Sequence, residues 1–181
     1  MCNLDRSWIA TMINRSLFFI FLFVMLALGA CKNRPGVGYN KGYAPTQPIP
    51  YDHELHAGKY QINCLYCHSD AEVSRHATVP SLNVCMNCHM TVGQGPNIQK
   101  LRDAYTNNQP IEWVKVHMLP DFVHFNHKRH VSHGVKCQTC HGPVETMKKI
   151  EQHTDLSMGW CVNCHRQPEN NAPISCSTCH Q

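Results

Sequence analysis

Apolar residues are distributed unevenly along the chain. One unbroken run, LFFIFLFVMLAL over residues 17–28, follows the positive charges of Arg6 and Arg15. Its twelve residues suit the core of an export signal and fall short of the roughly twenty that a spanning helix needs. Residues 32–50 (KNRPGVGYNKGYAPTQPIP) are rich in Gly and Pro without apolar periodicity, and read as a tether. Beyond them, apolar positions seldom recur long enough to define a buried face. The insert at 90–122 holds two exceptions. PNIQKLRDAYTNN (96–108) places Ile98, Leu101 and Tyr105 at helical spacing, with Pro96 near its start and Pro110 after it, and predicts a helix. IEWVKVHML (111–119) alternates only in part, and predicts a short extended strand or a buried connector. Elsewhere the pattern predicts short helices and loops, with few strands.

Cysteine and histidine spacing supplies what the hydrophobic pattern lacks. Five Cys-x-x-Cys-His pentapeptides occur: CLYCH (64–68), CMNCH (85–89), CQTCH (137–141), CVNCH (161–165) and CSTCH (176–180). They use ten of the twelve cysteines, and every Cys-x-x-Cys is followed by His. This is the attachment pattern of c-type haem. The thiols of Cys64, Cys67, Cys85, Cys88, Cys137, Cys140, Cys161, Cys164, Cys176 and Cys179 would form thioethers to five porphyrins. His68, His89, His141, His165 and His180 would then take the proximal positions on iron. Structural Cys₄ zinc sites give no reason for a His after each second Cys. Disulfides across such tight loops would remove little chain entropy.

With the first 30 of 181 residues removed, about thirty residues remain per haem, too few to enclose each one. The haems themselves must form much of the interior. The formal charge of +4 omits ten haem propionates, and no basic run or basic helix face suggests nucleic acid.

Nine histidines remain beyond the proximal five: His53, His56, His76, His117, His124, His127, His130, His133 and His153. That surplus argues for bis-His, low-spin, coordinatively closed irons. Met86, Met90, Met118, Met147 and Met158 leave a methionine ligand open at one haem. The order His-x-x-His, haem motif, single His, haem motif occurs twice. The offset is 74 residues at the first His (53 to 127) and 76 at the later motif (85 to 161). This is an internal duplication, and the second copy carries the additional motif at 176–180. The expected organisation is a targeting segment (1–30), a tether (31–50), a dihaem module with the helical insert (51–110) and a trihaem module (111–181).

His-x-x-His before one haem motif, then an isolated His before the next, resembles the small multihaem class III cytochromes c. The resemblance implies a fold of short helices around covalent haems. It also implies that His127 faces His141, His130 faces His165 and His153 faces His180. In the first copy it pairs His53 with His68 and His56 with His89. His76 has no terminal haem to serve there; it reads as a buried hydrogen-bonding His or as a replacement ligand, and His117 is a second reserve. His124 and His133 read as exposed or structural.

Leu28-Gly29-Ala30-Cys31 resembles the bacterial lipobox, so Cys31 reads as a lipid-modified N-terminus. The alternative retains residues 8–30 as an anchor helix; the true start is Met1 or Met12, and Cys2 has no assignment. Either anchor puts the haems on the periplasmic side of the cytoplasmic membrane. Over roughly residues 48–181, PYDHELHAG, NCLYCHSDAEVSRHATVPSLNVCMNCH, IEWVKVHMLPDFVHFNHKRHV, CQTCHGPVETM and LSMGWCVNCHR together resemble the pentahaem cytochrome subunit of alternative complex III. That resemblance implies a quinol-oxidising assembly with quinol-binding integral membrane subunits. An iron–sulfur subunit would pass electrons to this chain, and a monohaem cytochrome or terminal oxidase would receive them. The resemblance implies electron relay without substrate chemistry. The alternatives are a stand-alone or tethered carrier feeding a terminal reductase, and a haem enzyme with one five-coordinate iron.

Overall fold

The computed structural model describes residues 17–24 and 39–180. The chain divides into two units, Met1–Pro35 and Gly36–Gln181. In the first, residues 17–24 are helical and exposed. The remainder of the targeting segment, including Met1, Cys2, Met12 and Cys31, lies outside the described residues. Among the described residues, no helix is long and apolar enough to cross a membrane.

The second unit is helical and loop-rich, the architecture of a multihaem cytochrome c. No strand occurs among the described residues; a single isolated bridge joins Val123 and His180. Each Cys-x-x-Cys-His sits on a short helix: Cys64–Cys67, Leu82–His89, Cys137–His141, Met158–His165 and Cys176–Cys179. Local capping starts two of them. Asn63 Oδ1 accepts from the Leu65 N–H at 2.9 Å, and Ser157 Oγ accepts from the Trp160 N–H at 3.2 Å.

Pro96–Thr106 is the helix that the apolar spacing predicts, with Pro at its first turn. Leu101 is buried there against Ile49 and Met86, with Leu82, Cys85, Ile111 and Trp113 around them. The stretch 111–119 forms no strand, its Val114 backbone being bonded by the Gln47 side chain and not by a main-chain ladder; it is a connector with Val116 buried. Among the described residues, the buried apolar side chains are only Ile49, Ala71, Met86, Leu101 and Val116. Such a scant peptide core is what a thin wrapper around large apolar cofactors requires.

The described part of the expected tether, 39–50, packs on the haem-binding region. Gly42 donates its N–H to the Gln152 carbonyl at 2.7 Å, and Gln152 donates to the Tyr43 carbonyl at 3.0 Å. Gln47 bonds the Val114 backbone through both its amide oxygen and nitrogen, each at 2.9 Å. Gly/Pro composition removed regular structure from this stretch, not contacts.

The two sequence repeats hold each other reciprocally. His53 and Glu54 both donate their N–H groups to the Met147 carbonyl at 3.1 Å, just beyond the second copy's first haem motif. In return, His127 donates to the Arg75 carbonyl at 3.1 Å and Lys128 to the Ser74 carbonyl at 3.0 Å, just beyond the first copy's first motif. This is the contact pattern of an isologous pair, realised within one chain. The Glu54–Lys59 turn, a π-helix, packs on the 3₁₀ turn Val144–Thr146 so tightly that a Cβ on Gly58 would collide with the Glu145 carbonyl. Gly58→Ala is therefore expected to destabilise the protein by about 1–3 kcal/mol. Thermal unfolding checks this, and an unchanged transition would show that the two turns are not in close contact.

Candidate haem-binding sites

The residues preceding each His-x-x-His build the same cradle twice. Asp52 Oδ1 accepts from the Leu55 N–H at 3.0 Å, and Asn126 Oδ1 accepts from the Arg129 N–H at 3.3 Å, capping the two turns. The main-chain carbonyls of these same residues accept from the second His of each pair: His56 Nδ1–H to Asp52 at 2.7 Å, His130 Nδ1–H to Asn126 at 2.8 Å. One residue earlier stands an aromatic ring. Tyr51 stacks on His56 (4.5 Å, 20°) and meets His53 edge-on (4.7 Å, 77°). Phe125 stacks on His130 (4.5 Å, 28°) and meets His127 edge-on (4.8 Å, 89°). Tyr51 and Phe125 were not singled out from sequence, although an aromatic residue two positions before each pair was visible in both repeats.

The proximal histidines share one arrangement. His68 Nδ1–H donates to the Thr78 carbonyl (2.7 Å), His89 to Val92 (3.0 Å), His165 to Pro173 (2.7 Å) and His180 to Phe122 (3.2 Å). Tying Nδ1 to a carbonyl fixes the tautomer and presents Nε2 as a bare lone pair, the form in which imidazole binds a metal. In His141, the Nδ1 partner is instead Nε2 of His117, at 3.2 Å.

Ring separations test whether haem fits between these groups. Imidazole binds such metals at about 2 Å, and roughly 1 Å more reaches each ring centre, so an imidazole–metal–imidazole sandwich separates centroids by about 6 Å. His56 and His89 stand 6.1 Å apart, His130 and His165 5.9 Å, and His127 and His141 6.3 Å. The paired thiols are free in all five motifs. His53 differs from His56 and His130 in that its Nδ1 is buried without a hydrogen-bond partner. The residues fit c-type haem.

Two other expected pairs are not brought into ring contact among the described residues. His53 lies near enough to His68 to feel its charge; burial first, then that neighbour, push His53 down to about 4. His153 is exposed and packs on Gly142, while His180 stacks against Phe122 at 5.8 Å. Gly142 has φ +72°, and a Cβ there would lie 2.7 Å from His153 Cδ2. His76 is exposed, which removes the reading of it as a buried hydrogen-bonding residue. His117 stands 4.4 Å from His141, too close for an iron between the two rings. His124 Nδ1 accepts from Arg75 Nη2 at 3.1 Å, a structural contact. Of the methionines left open as ligands, Met86 is buried in the apolar cluster, and Met90 and Met158 are exposed.

The five motifs are neighbours in a definite order. Asn87 in CMNCH donates to the Tyr66 hydroxyl in CLYCH at 3.0 Å. Cys64 and Cys137, equivalent positions of the two repeats, are neighbours: burial and then Cys64 push the Cys137 thiol up. His127 and His130, on one helical turn, reach CQTCH and CVNCH respectively. The Cys140 thiol is pushed up to about 11 by burial and then by Cys161 and Cys164. Burial and then Cys179 likewise raise Cys161.

Residues 123–181 match the family model for cytochrome c7 and related cytochrome c. The match spans the second repeat with its three haem motifs. That stretch is a multihaem c-type cytochrome domain. No curated protein matches the chain. A domain of that kind transfers electrons on covalently bound c-type haem.

Proposed function

We propose that this cytochrome is the pentahaem electron relay of a quinol-oxidising membrane complex of the alternative complex III kind. The observation that carries the relay is the contiguity of the five motifs. Their contacts order them 85–89, 64–68, 137–141, 161–165, 176–180. The repeats meet at the central junction of Cys64 and Cys137. Haem supplies the one-electron redox couple when bound. The chain's own contribution would be to fix each motif histidine by an Nδ1 hydrogen bond, to set a second imidazole opposite three of them, and to keep neighbouring motifs adjacent. Imidazoles held in place by the chain would keep reorganisation small on reduction of bound haem.

The wider assembly rests on the likeness of residues 48–181 to the pentahaem subunit of that complex. In this reading an iron–sulfur subunit donates electrons and quinol-binding integral membrane subunits supply them. A monohaem cytochrome or terminal oxidase accepts them on the periplasmic side. Lipid on Cys31 or an N-terminal helix attaches the chain to the membrane. Purification from native membranes in mild detergent tests the proposal. The expected result is co-isolation with an iron–sulfur subunit and large membrane subunits. A free monomer would favour the separate carrier that feeds a terminal reductase.

A further inference from the structure

Among the five proximal imidazoles, four are held by main-chain carbonyls and one by another side chain. We infer that His117 is a positioning residue for the haem of CQTCH, accepting the His141 Nδ1–H and making that iron the one whose potential is set by an imidazole acceptor.

The geometry excludes His117 as the second imidazole on the iron of His141. Its ring centroid lies 4.4 Å from that of His141 at 85°, whereas the pairs suited to hold a metal between them stand near 6 Å. His127 already occupies the opposite side, nearly parallel to His141 at 7°. Once His141 Nε2 is on iron, the ring proton resides on Nδ1. His141 must then donate, and His117 Nε2 must accept, with the His117 proton on its own Nδ1.

The consequence is electronic. A ring nitrogen is a more basic acceptor than an amide carbonyl, so His141 gains imidazolate character and donates more strongly to its iron. Stronger donation stabilises the ferric state and lowers the potential. The site lies at the middle of the relay, where the two repeats meet. A low-potential centre there would separate the two halves of the wire, so that electrons collect on either side of it. This inference rests on His141 being the proximal ligand in the proposed relay.

The test is a spectroelectrochemical titration of the holoprotein and two variants, with haem count taken by intact mass. In His117→Leu, five haems are retained, all stay low-spin, and one of five midpoint potentials moves to a more positive value. In His117→Gln, whose amide oxygen restores a carbonyl acceptor, the same component lies between wild type and the Leu variant. Unchanged potentials in both variants would overturn the inference, and so would a high-spin iron in the Leu variant, which would make His117 a ligand. If the Leu variant loses haem, nitrogen-15 labelling of the fully reduced wild-type protein decides. A through-hydrogen-bond coupling between His141 Nδ1 and His117 Nε2 is expected, and its absence would overturn the assignment. Failure of the ligand assignment on which this rests is distinct: wild-type protein would then carry no haem on Cys137 and Cys140.

Discussion

His130→Ala is expected to leave five thioether-bound haems in place while converting about one iron in five to the high-spin state. The thioethers depend on Cys161 and Cys164 and on proximal His165, none of which the substitution touches. The imidazole it removes stands 5.9 Å from that of His165, held there by the Asn126 carbonyl and by stacking on Phe125. Alanine offers no donor atom, and the neighbouring His127 is committed to the His141 side at 6.3 Å. Low-temperature electron paramagnetic resonance, with intact mass to count haems, reads the outcome. A fully low-spin spectrum would show that His130 is not the partner of His165.

Joint replacement of Cys161 and Cys164 by alanine should cost one haem and much of the stability of the second repeat. Buried apolar side chains are few in this protein, and none of those in the described residues belongs to 123–180. The porphyrin of CVNCH must therefore supply interior surface that the peptide lacks. Deleting it removes more apolar area than a Trp→Ala truncation, so the cost should exceed roughly 3–5 kcal/mol. Mass spectrometry should show one haem fewer, and thermal unfolding a large drop in midpoint. A tetrahaem product that unfolds like wild type would contradict the thin-wrapper account.

What the sequence made legible follows from how local each determinant is. A Cys-x-x-Cys-His needs only a helical turn to aim its groups together, and all five form one. His-x-x-His likewise puts two rings on one turn, which leaves His56 near His89, His127 near His141 and His130 near His165. The helix Pro96–Thr106 announced itself through Pro96 and the Ile98, Leu101, Tyr105 spacing. The reciprocal grip of the repeats did not, because main-chain bonds from His53, Glu54, His127 and Lys128 leave no mark on side-chain type. His117 was visible only as a spare histidine. A ligand and a residue hydrogen-bonded to a ligand look the same in sequence, and only ring distance separates them. The alternation in 111–119 suggested a strand, but a strand needs a neighbour, and that information lies elsewhere in the chain. His153 shows the same limit: its contact with Gly142 depends on how the loop after CQTCH returns.

In the proposed relay, covalent iron porphyrin forms both the interior and the conducting path of this polypeptide. A pyridine haemochrome assay combined with intact mass on protein from its native membrane measures this directly. Five porphyrins retained per chain after denaturation and extraction are expected. A chain that retains none would contradict the proposal.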